Sequence, residues 1–425
     1  MNTQTAQVSS VAETEYDIVI VGAGGAGIAT AASILKRCSS QSISLSIALI
    51  DPAEMHYYQP GWTMVGAGVF SADSTARTMA SRIPDGVKWI KAGVAAFEPD
   101  RNAVVLDNGQ VAKYKQLVVC PGLKLDWNGI AGLPEALGKS GVTSNYRFDL
   151  APYTWELVQK LHGGKAIFTQ PAMPIKCAGA PQKAMYLSAD YWRSTGVLPQ
   201  INIEFCNAGP VLFGVAAYVP ALMEYIKAYG IDLQFGSNLV AIDGAAKLAT
   251  FTRTNSEGTV EKITREYDMI HVVPPQIAPD FIRSSPLAEG AWVTVDPASM
   301  RHTKFANVYA LGDVANTTNA KTAAAARMQA PVVAHNVLAG LGKLKGESHY
   351  NGYGSCPLTV ERGKIVLAEF LYGGKVAPSF PSWLIDGTKP SALAWFLKAK
   401  VLPALYWQGM LKGRELLFHP DIVGK

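Results

Sequence analysis

The chain reads as an α/β protein: two Rossmann-like dinucleotide-binding domains followed by a C-terminal amphipathic helical segment for membrane association. Three observations predict this class. An apolar strand breaks into glycines and then into an alanine-rich helix at residues 16–38, a second alternation of strand and helix patterns starts at Gly163, and the composition changes after Pro381. The expected division is a disordered N-terminus over 1–15, a discontinuous first domain at 16–162 and 301–348, a second Rossmann-like domain at 163–300, and a C-terminal region at 349–425.

The first element is YDIVIVGAGGAGIATAASILKRC, a strand, a glycine turn and a helix that open a βαβ unit. Gly22, Gly24 and Gly27 form GxGxxG between strand and helix, and the next strand, SISLSIALID, ends on Asp51. In that setting the glycines permit a tight turn and the approach of a pyrophosphate to the helix N-terminus, while Asp51 can bind ribose hydroxyls. The competing reading is a glycine turn that only packs helix on strand. From 86 to 122, VKWIKAGV, NAVVLDNG with its Asn-Gly turn, and QLVVCPG predict a small inserted meander. Near the far end of this domain NVYALGDVA, at 307–315, is a strand ending in Gly312-Asp313, followed by a helix from about Thr322 to Leu341. A close-approach turn with a carboxylate for polyol hydroxyls resembles the FAD-binding pattern of the two-dinucleotide-domain flavoproteins.

In the second domain GKAIFTQ, INIEFCNAG and IDLQFG are strands, and MYLSADYWR and VPALMEYIKAYG are helices. No second GxGxxG follows its first strand. AIFTQ runs instead into PAMPIKCAGAP, where prolines 171, 174 and 181 oppose a glycine-lined helix start. Use of NADH or NADPH is therefore not expected, and a cysteine takes the region such a cofactor would reach.

Composition narrows the function classes. With 425 residues, 49% of them hydrophobic, the chain can bury two or three cores. It carries a net charge of +5 without blocks of like charge or aromatic-basic repeats, so no nucleic-acid partner is expected. MNTQTAQVSSVAETE lacks the basic and apolar regions of a secretory signal, and no run of about 18 apolar residues occurs, so membrane contact is expected from one face only. None of the seven histidines shows HxH or HExxH spacing, and no metal is expected. His56, ahead of the YYQP string, reads as a structural hydrogen-bonding residue.

Five cysteines are too few and scattered for a disulfide scaffold. Cys38, Cys120 and Cys206 follow or sit in regular elements and read as buried structural thiols, whereas Cys177 in PIKCAGAP and Cys356 in NGYGSCPL lie on Pro/Gly turns. A helix start near Pro181, with Lys176 and Lys183 close in sequence, favours a thiolate at Cys177. Residue chemistry alone leaves open whether these two thiols meet.

The strings VIVGAGGAG, MHYYQPGWTMVGAG (55–68), PIKCAGAPQKAMYLS (174–188), LGDVANTTNAKTAAAA (311–326) and YNGYGSCPL with the following LAEF make the chain resemble sulfide:quinone oxidoreductases, particularly the branch with the mitochondrial enzymes. The resemblance implies FAD, held by Gly22, Gly24, Gly27, Asp51, Gln59, Gly122, Gly312, Asp313 and Lys321. It implies a redox pair Cys177–Cys356 in which Cys356 carries the sulfane sulfur and Cys177 reacts with the flavin. Hydrogen sulfide is then the donor, ubiquinone or a similar quinone the electron acceptor, and glutathione or another small acceptor takes the sulfur. Lys321 is expected to stabilise negative charge on the reduced ring, against the alternative of a solvated surface lysine. Many bacterial members carry a third cysteine after the segment matching LVVCPG. Here Asn145 stands near that place, which puts long polysulfides and covalent FAD attachment in doubt.

From Pro381 onward lie three of nine tryptophans and six Lys/Arg against three Asp/Glu. Leu393, Phe396 and Leu397 beside Lys398 and Lys400 suit an interfacial segment, expected over 381–418, with rings at headgroup level and ammonium groups on anionic lipid. The alternative is a packed helical hairpin or a dimer contact. Pro403 is expected to separate two short helices, and Phe370 and Phe380 are candidates for a quinone pocket. The location expected is the cytoplasmic face of the inner membrane, as a peripheral protein and a possible homo-oligomer. Competing functions are a type II NADH:quinone dehydrogenase, a flavocytochrome-type sulfide dehydrogenase subunit, and a non-catalytic persulfide sensor.

Overall fold

The computed structural model describes residues 13–254, 258–415 and 420–424. Strand β1 (Glu13–Val21) lies at the centre of the first sheet, parallel on one side to β2 (Ile47–Ile50) and on the other to Val111–Val119. Its last four residues are buried without alternation, as a parallel strand covered on both faces requires. Residues 13–15 thus belong to β1, because they pair with Val111–Lys113, and are not part of a disordered tail; residues 1–12 lie outside the described residues. Helix α1 (Gly25–Ser40) packs against the long helix Ala323–Gly340, which Thr322 caps by accepting from Ala325 N. Strand Val308–Ala310 adds to Val111–Val119 and returns the chain from the second domain.

The meander expected over 86–122 is narrower than its sequence suggests. Val94–Glu98, Ala103–Leu106 and Val111–Val119 form it, whereas Val87–Ile90 pairs parallel with β2 at the sheet edge. A four-residue alternating run does not encode its partner.

The second sheet is parallel, in the order Val142–Thr143, Met269–His271, Gly164–Gln170, Ile201–Asn207, Asp232–Phe235. Helices Ala180–Ser194 and Val219–Tyr229 cover it around Phe168, Tyr186, Trp192 and Phe205. Its edge strand and the helix Ala151–Lys160 come from before the expected boundary at 162, since a two-residue strand carries no periodicity.

An antiparallel ribbon, Gly354–Glu361 with Lys364–Phe370, lays Cys356, Leu358, Val360, Val366 and Ala368 into the second core, so that the C-terminal region meets the helix Ala180–Ser194. Residues 392–412 then run as one helical stretch with widened turns at Leu397–Val401 and Leu405–Gly409. Pro403 does not divide it. The backbone stays right-handed helical through Leu402 and Leu405, and the widened turns accommodate the missing N–H and the ring that a regular α-helix would reject. Among the described residues no helix is long and apolar enough to cross a membrane.

Candidate active site

The glycine loop is shaped by close packing. Gly22 has φ +102°, and a Cβ there would stand 2.5 Å from the Cys120 carbonyl oxygen; on Gly27 it would stand 1.9 Å from the Gly22 oxygen. Both glycines therefore seat α1 on the sheet. Gly24 differs, because a Cβ there meets nothing within 4 Å, and α1 begins without a side-chain cap. Open space over uncapped N–H groups at a helix N-terminus fits a pyrophosphate. Asp51 closes the loop from below, accepting from Ala23 N at 2.7 Å and from Ala53 N at 2.8 Å. Gly122 also opens onto empty space, and a Cβ on Gly312 would stand 3.4 Å from the Ala26 methyl, next to the first turn of α1. The donor set thus suits a dinucleotide such as FAD along the C-terminal edge of the first sheet.

Cys177 lies between the strand Gly164–Gln170 and the helix Ala180–Ser194, at φ +81°. The fold brings its sulfur to 3.3 Å from that of Cys356. Gly179 makes room for this approach, since a Cβ there would stand 2.6 Å from the Cys356 sulfur. Lys183, one turn into the following helix and buried, reaches the Cys177 sulfur at 3.4 Å. Cys177 is held well below the usual thiol range by the hydrogen bond from Cys356 and by the charges of Lys183 and Lys398, which outweigh burial. Cys356 is pushed well above it, because it shares its proton with the Cys177 thiolate and is buried. The two thiols therefore titrate as a pair, with the lysine charges drawing the negative charge toward Cys177. Cys38, Cys120 and Cys206 are buried away from this pair and pushed up by desolvation, Cys206 to about 12.

Of the two lysines near Cys177 in sequence, only Lys183 meets its sulfur. Lys176 turns away, its ammonium donating to Gln59 Oε1 at 2.7 Å and lying 5.7 Å from the Tyr146 ring centroid. The backbone at Lys176 bridges to Lys321, so the thiol loop runs beside that residue. Lys321 is not a solvated surface lysine: 8% exposed, it donates to the carbonyls of Asp313 at 2.7 Å and Ala315 at 2.8 Å and lies over Trp292. Burial pulls its pKa down to about 8, and burial raises that of Asp313 against the pull of Lys176 and Lys321.

One residue of the site escaped the sequence reading. Lys398 points inward, not toward lipid: it is 3% exposed, donates to the Pro60 carbonyl at 3.2 Å, and is pulled down to about 7 by burial and by Lys183. The signal lay in the spacing. Ala394 and Lys398, four apart, share the buried face, while Leu393, Phe396 and Lys400 share the exposed one. Trp383 is 83% exposed, but Trp395 is half-buried and Trp407 is buried under Arg77. The stretch that presents apolar surface is therefore 381–401, because residues 406–415 pack onto α1; 416–418 lie outside the described residues.

Asn145 is buried, its backbone N–H donating to His271 Nε2 at 2.9 Å and its amide against Gly66. Phe370 shares the ribbon face of Cys356 and Ala368, and a Cβ on Gly354 would stand 3.8 Å from its ring. Phe380 packs on the opposite face with Ile365, Leu367 and Ile385. Among the described residues no cluster of side chains could hold a metal ion.

Residues 16–158 match the family model for pyridine nucleotide-disulphide oxidoreductases. A mitochondrial sulfide:quinone oxidoreductase of Dictyostelium discoideum is 41% identical over 410 residues, covering 95% of this chain and 88% of that protein. The mitochondrial sulfide:quinone oxidoreductase of Mus musculus is 37% identical over 403 residues, with the same coverage of 95% and 88%. The solved sulfide:quinone oxidoreductase of Aquifex aeolicus superposes with a TM-score of 0.77 over 97% of this chain and 99% of that one, a likeness of fold at 18% identity. With relatives of this identity matched along nearly its whole length, the chain belongs to the sulfide:quinone oxidoreductase family.

Proposed function

We propose that this protein oxidises hydrogen sulfide through the Cys177–Cys356 pair and FAD, reduces a membrane quinone, and hands the sulfane sulfur to a small thiol such as glutathione. The observation that carries this reading is the pair of sulfurs 3.3 Å apart with two buried lysines beside them. Hydrosulfide attacks the Cys356 sulfur of the oxidised pair, forming a persulfide there and releasing Cys177 as the thiolate. Lys183 and Lys398 stabilise that leaving thiolate, which is why the bond breaks toward Cys177. When bound, FAD takes up two electrons and delivers them to the quinone. An acceptor thiolate removes the outer sulfur of the Cys356 persulfide and leaves two cysteine thiolates; re-forming their disulfide releases two electrons, which are the pair that bound FAD would accept for the quinone. Lys321, with two of its N–H donors fixed on carbonyls, sets a positive charge beside the thiol loop for the anion that the reduced cofactor carries. The second Rossmann-like domain contributes the thiol loop where a nucleotide-binding relative would carry glycines.

A peripheral seat on the membrane is supported by Trp383, Leu393, Phe396 and Val401, all exposed, with Lys389 and Lys400 beside them. We place this face against the inner membrane, on its cytoplasmic side, where it meets a lipid-dissolved quinone. Phe370 is the stronger quinone candidate because it lies on the thiol side of the ribbon, and Phe380 lies nearer the exposed apolar patch.

The test is sulfide titration of the bound flavin in Cys177→Ser and Cys356→Ser. Loss of bleaching in each, with FAD retained, is the expected result; undiminished reduction in either refutes the pair. NADH is expected to leave the flavin oxidised, and bleaching by NADH would favour a type II dehydrogenase instead.

A further inference from the structure

His56 and Tyr406 take no part in the sulfur chemistry, yet they form a buried relay onto the glycine loop. Tyr406 Oη lies 2.7 Å from His56 Nε2, and His56 Nδ1 lies 3.1 Å from the Ala23 carbonyl oxygen. A carbonyl only accepts, so Nδ1 carries the proton; the ring is neutral in its desolvated site, which leaves Nε2 as acceptor for the Tyr406 hydroxyl. The Ala23 N–H is already given to Asp51, so the peptides on both sides of this one residue are held. A Cβ on Gly25 would stand 2.9 Å from Tyr406 Oη, which puts the hydroxyl on the first turn of α1. Tyr58 and Trp407 wall the relay, with ring centroids 4.8 and 5.1 Å from that of Tyr406.

The same segment continues along α1. A Cβ on Gly413 would stand 2.6 Å from the Ala32 carbonyl oxygen, and Glu415 pairs with Arg37 and accepts from Ser33 Oγ. Packing alone would be served by phenylalanine at 406. A buried hydroxyl committed to a histidine fixes the conformation of the loop it leads to.

We infer that residues 406–415 are a strap over the dinucleotide loop, and that Tyr406 and His56 are positioning residues that hold Ala23 in the conformation that retains FAD. The inference rests on FAD binding at the glycine loop and not on the sulfide reaction. Opening the strap would free the Ala23 carbonyl and let the loop rotate away from the pyrophosphate.

The test uses the full-length holoprotein and follows FAD release by recovery of flavin fluorescence after dilution into cofactor-free buffer, together with the FAD affinity of the reconstituted apoprotein. Tyr406→Phe, which keeps the ring, is expected to weaken FAD binding about tenfold, equivalent to about 1.4 kcal/mol. The melting temperature of its apoprotein should fall by no more than a few degrees, the cost of one buried hydrogen bond in a chain of this size. Glu415→Gln, remote from the loop, is expected to speed release by a smaller factor, and remains informative if Tyr406→Phe fails to fold. Wild-type release from Glu415→Gln, or from a folded Tyr406→Phe, overturns the strap, as does an apoprotein melting temperature that falls with FAD affinity unchanged. A wild-type protein that neither carries nor takes up FAD would instead refute the cofactor reading itself.

Discussion

Replacing Lys183 by methionine isolates the charge that holds Cys177 as a thiolate, because methionine keeps most of the buried stem. The ammonium lies 3.4 Å from the sulfur. At an effective dielectric of about 20 that distance corresponds to roughly 5 kcal/mol, or at most about 3.5 units of thiol pKa. Two groups soften the loss. Lys398, relieved of its repulsion from Lys183, holds its own proton more firmly, and the hydrogen bond from Cys356 stays. The Cys177 midpoint should therefore rise toward the ordinary thiol range by less than that ceiling, and the thiolate fraction at pH values below the new midpoint should fall with it. The pH dependence of iodoacetamide alkylation of the reduced enzyme, with modification at Cys177 located by mass spectrometry, measures the midpoint directly. A midpoint within half a unit of wild type would refute the electrostatic account, and flavin bleaching by sulfide should slow in step with the shift.

Other expectations follow from the same geometry. Lys398 has its pKa lowered in the folded protein to about 7, so the unfolded chain binds more protons between that value and its ordinary 10.5. Stability should therefore rise with pH across that window, by at most about 1.4 kcal/mol per unit, and Lys398→Met should flatten the slope in denaturant titrations compared at pH 7 and 9. Gly179→Ala places a methyl 2.6 Å from the Cys356 sulfur and 2.2 Å from Leu358 Cδ2. It should destabilise the fold by about 1–3 kcal/mol and leave two extra titratable thiols after mild oxidation; a normal disulfide yield would contradict the packing. Phe396→Glu should abolish co-flotation with anionic vesicles while sulfide still bleaches the flavin, and undiminished flotation would move the membrane face elsewhere.

What the sequence made legible was local. The glycine motif, Asp51 and the capped helix after Thr322 each depend on neighbours a few residues away, and their elements fall where the patterns place them. Pairing was less legible: nothing in VKWI or in Val142–Thr143 states which sheet receives it. The thiol pair was suggested by family resemblance and not by spacing, since the ribbon register that delivers Cys356 is set by apolar residues on both of its strands. Lys398 was hidden by the character of its segment, where a basic, apolar composition reads as a surface even though one helical face turns inward. The link from Tyr406 to His56 spans 350 positions and leaves no local pattern at either end.

The 179 positions between the two cysteines whose sulfurs the fold brings together carry a consequence for folding. A ribosome that has just released Cys177 has made a thiol whose neighbour in the fold does not yet exist, because Cys356 follows 179 positions later. No fragment that ends before the ribbon bearing Cys356 can hold the two thiols together. The ribbon that brings the second thiol follows every strand of both large sheets along the chain.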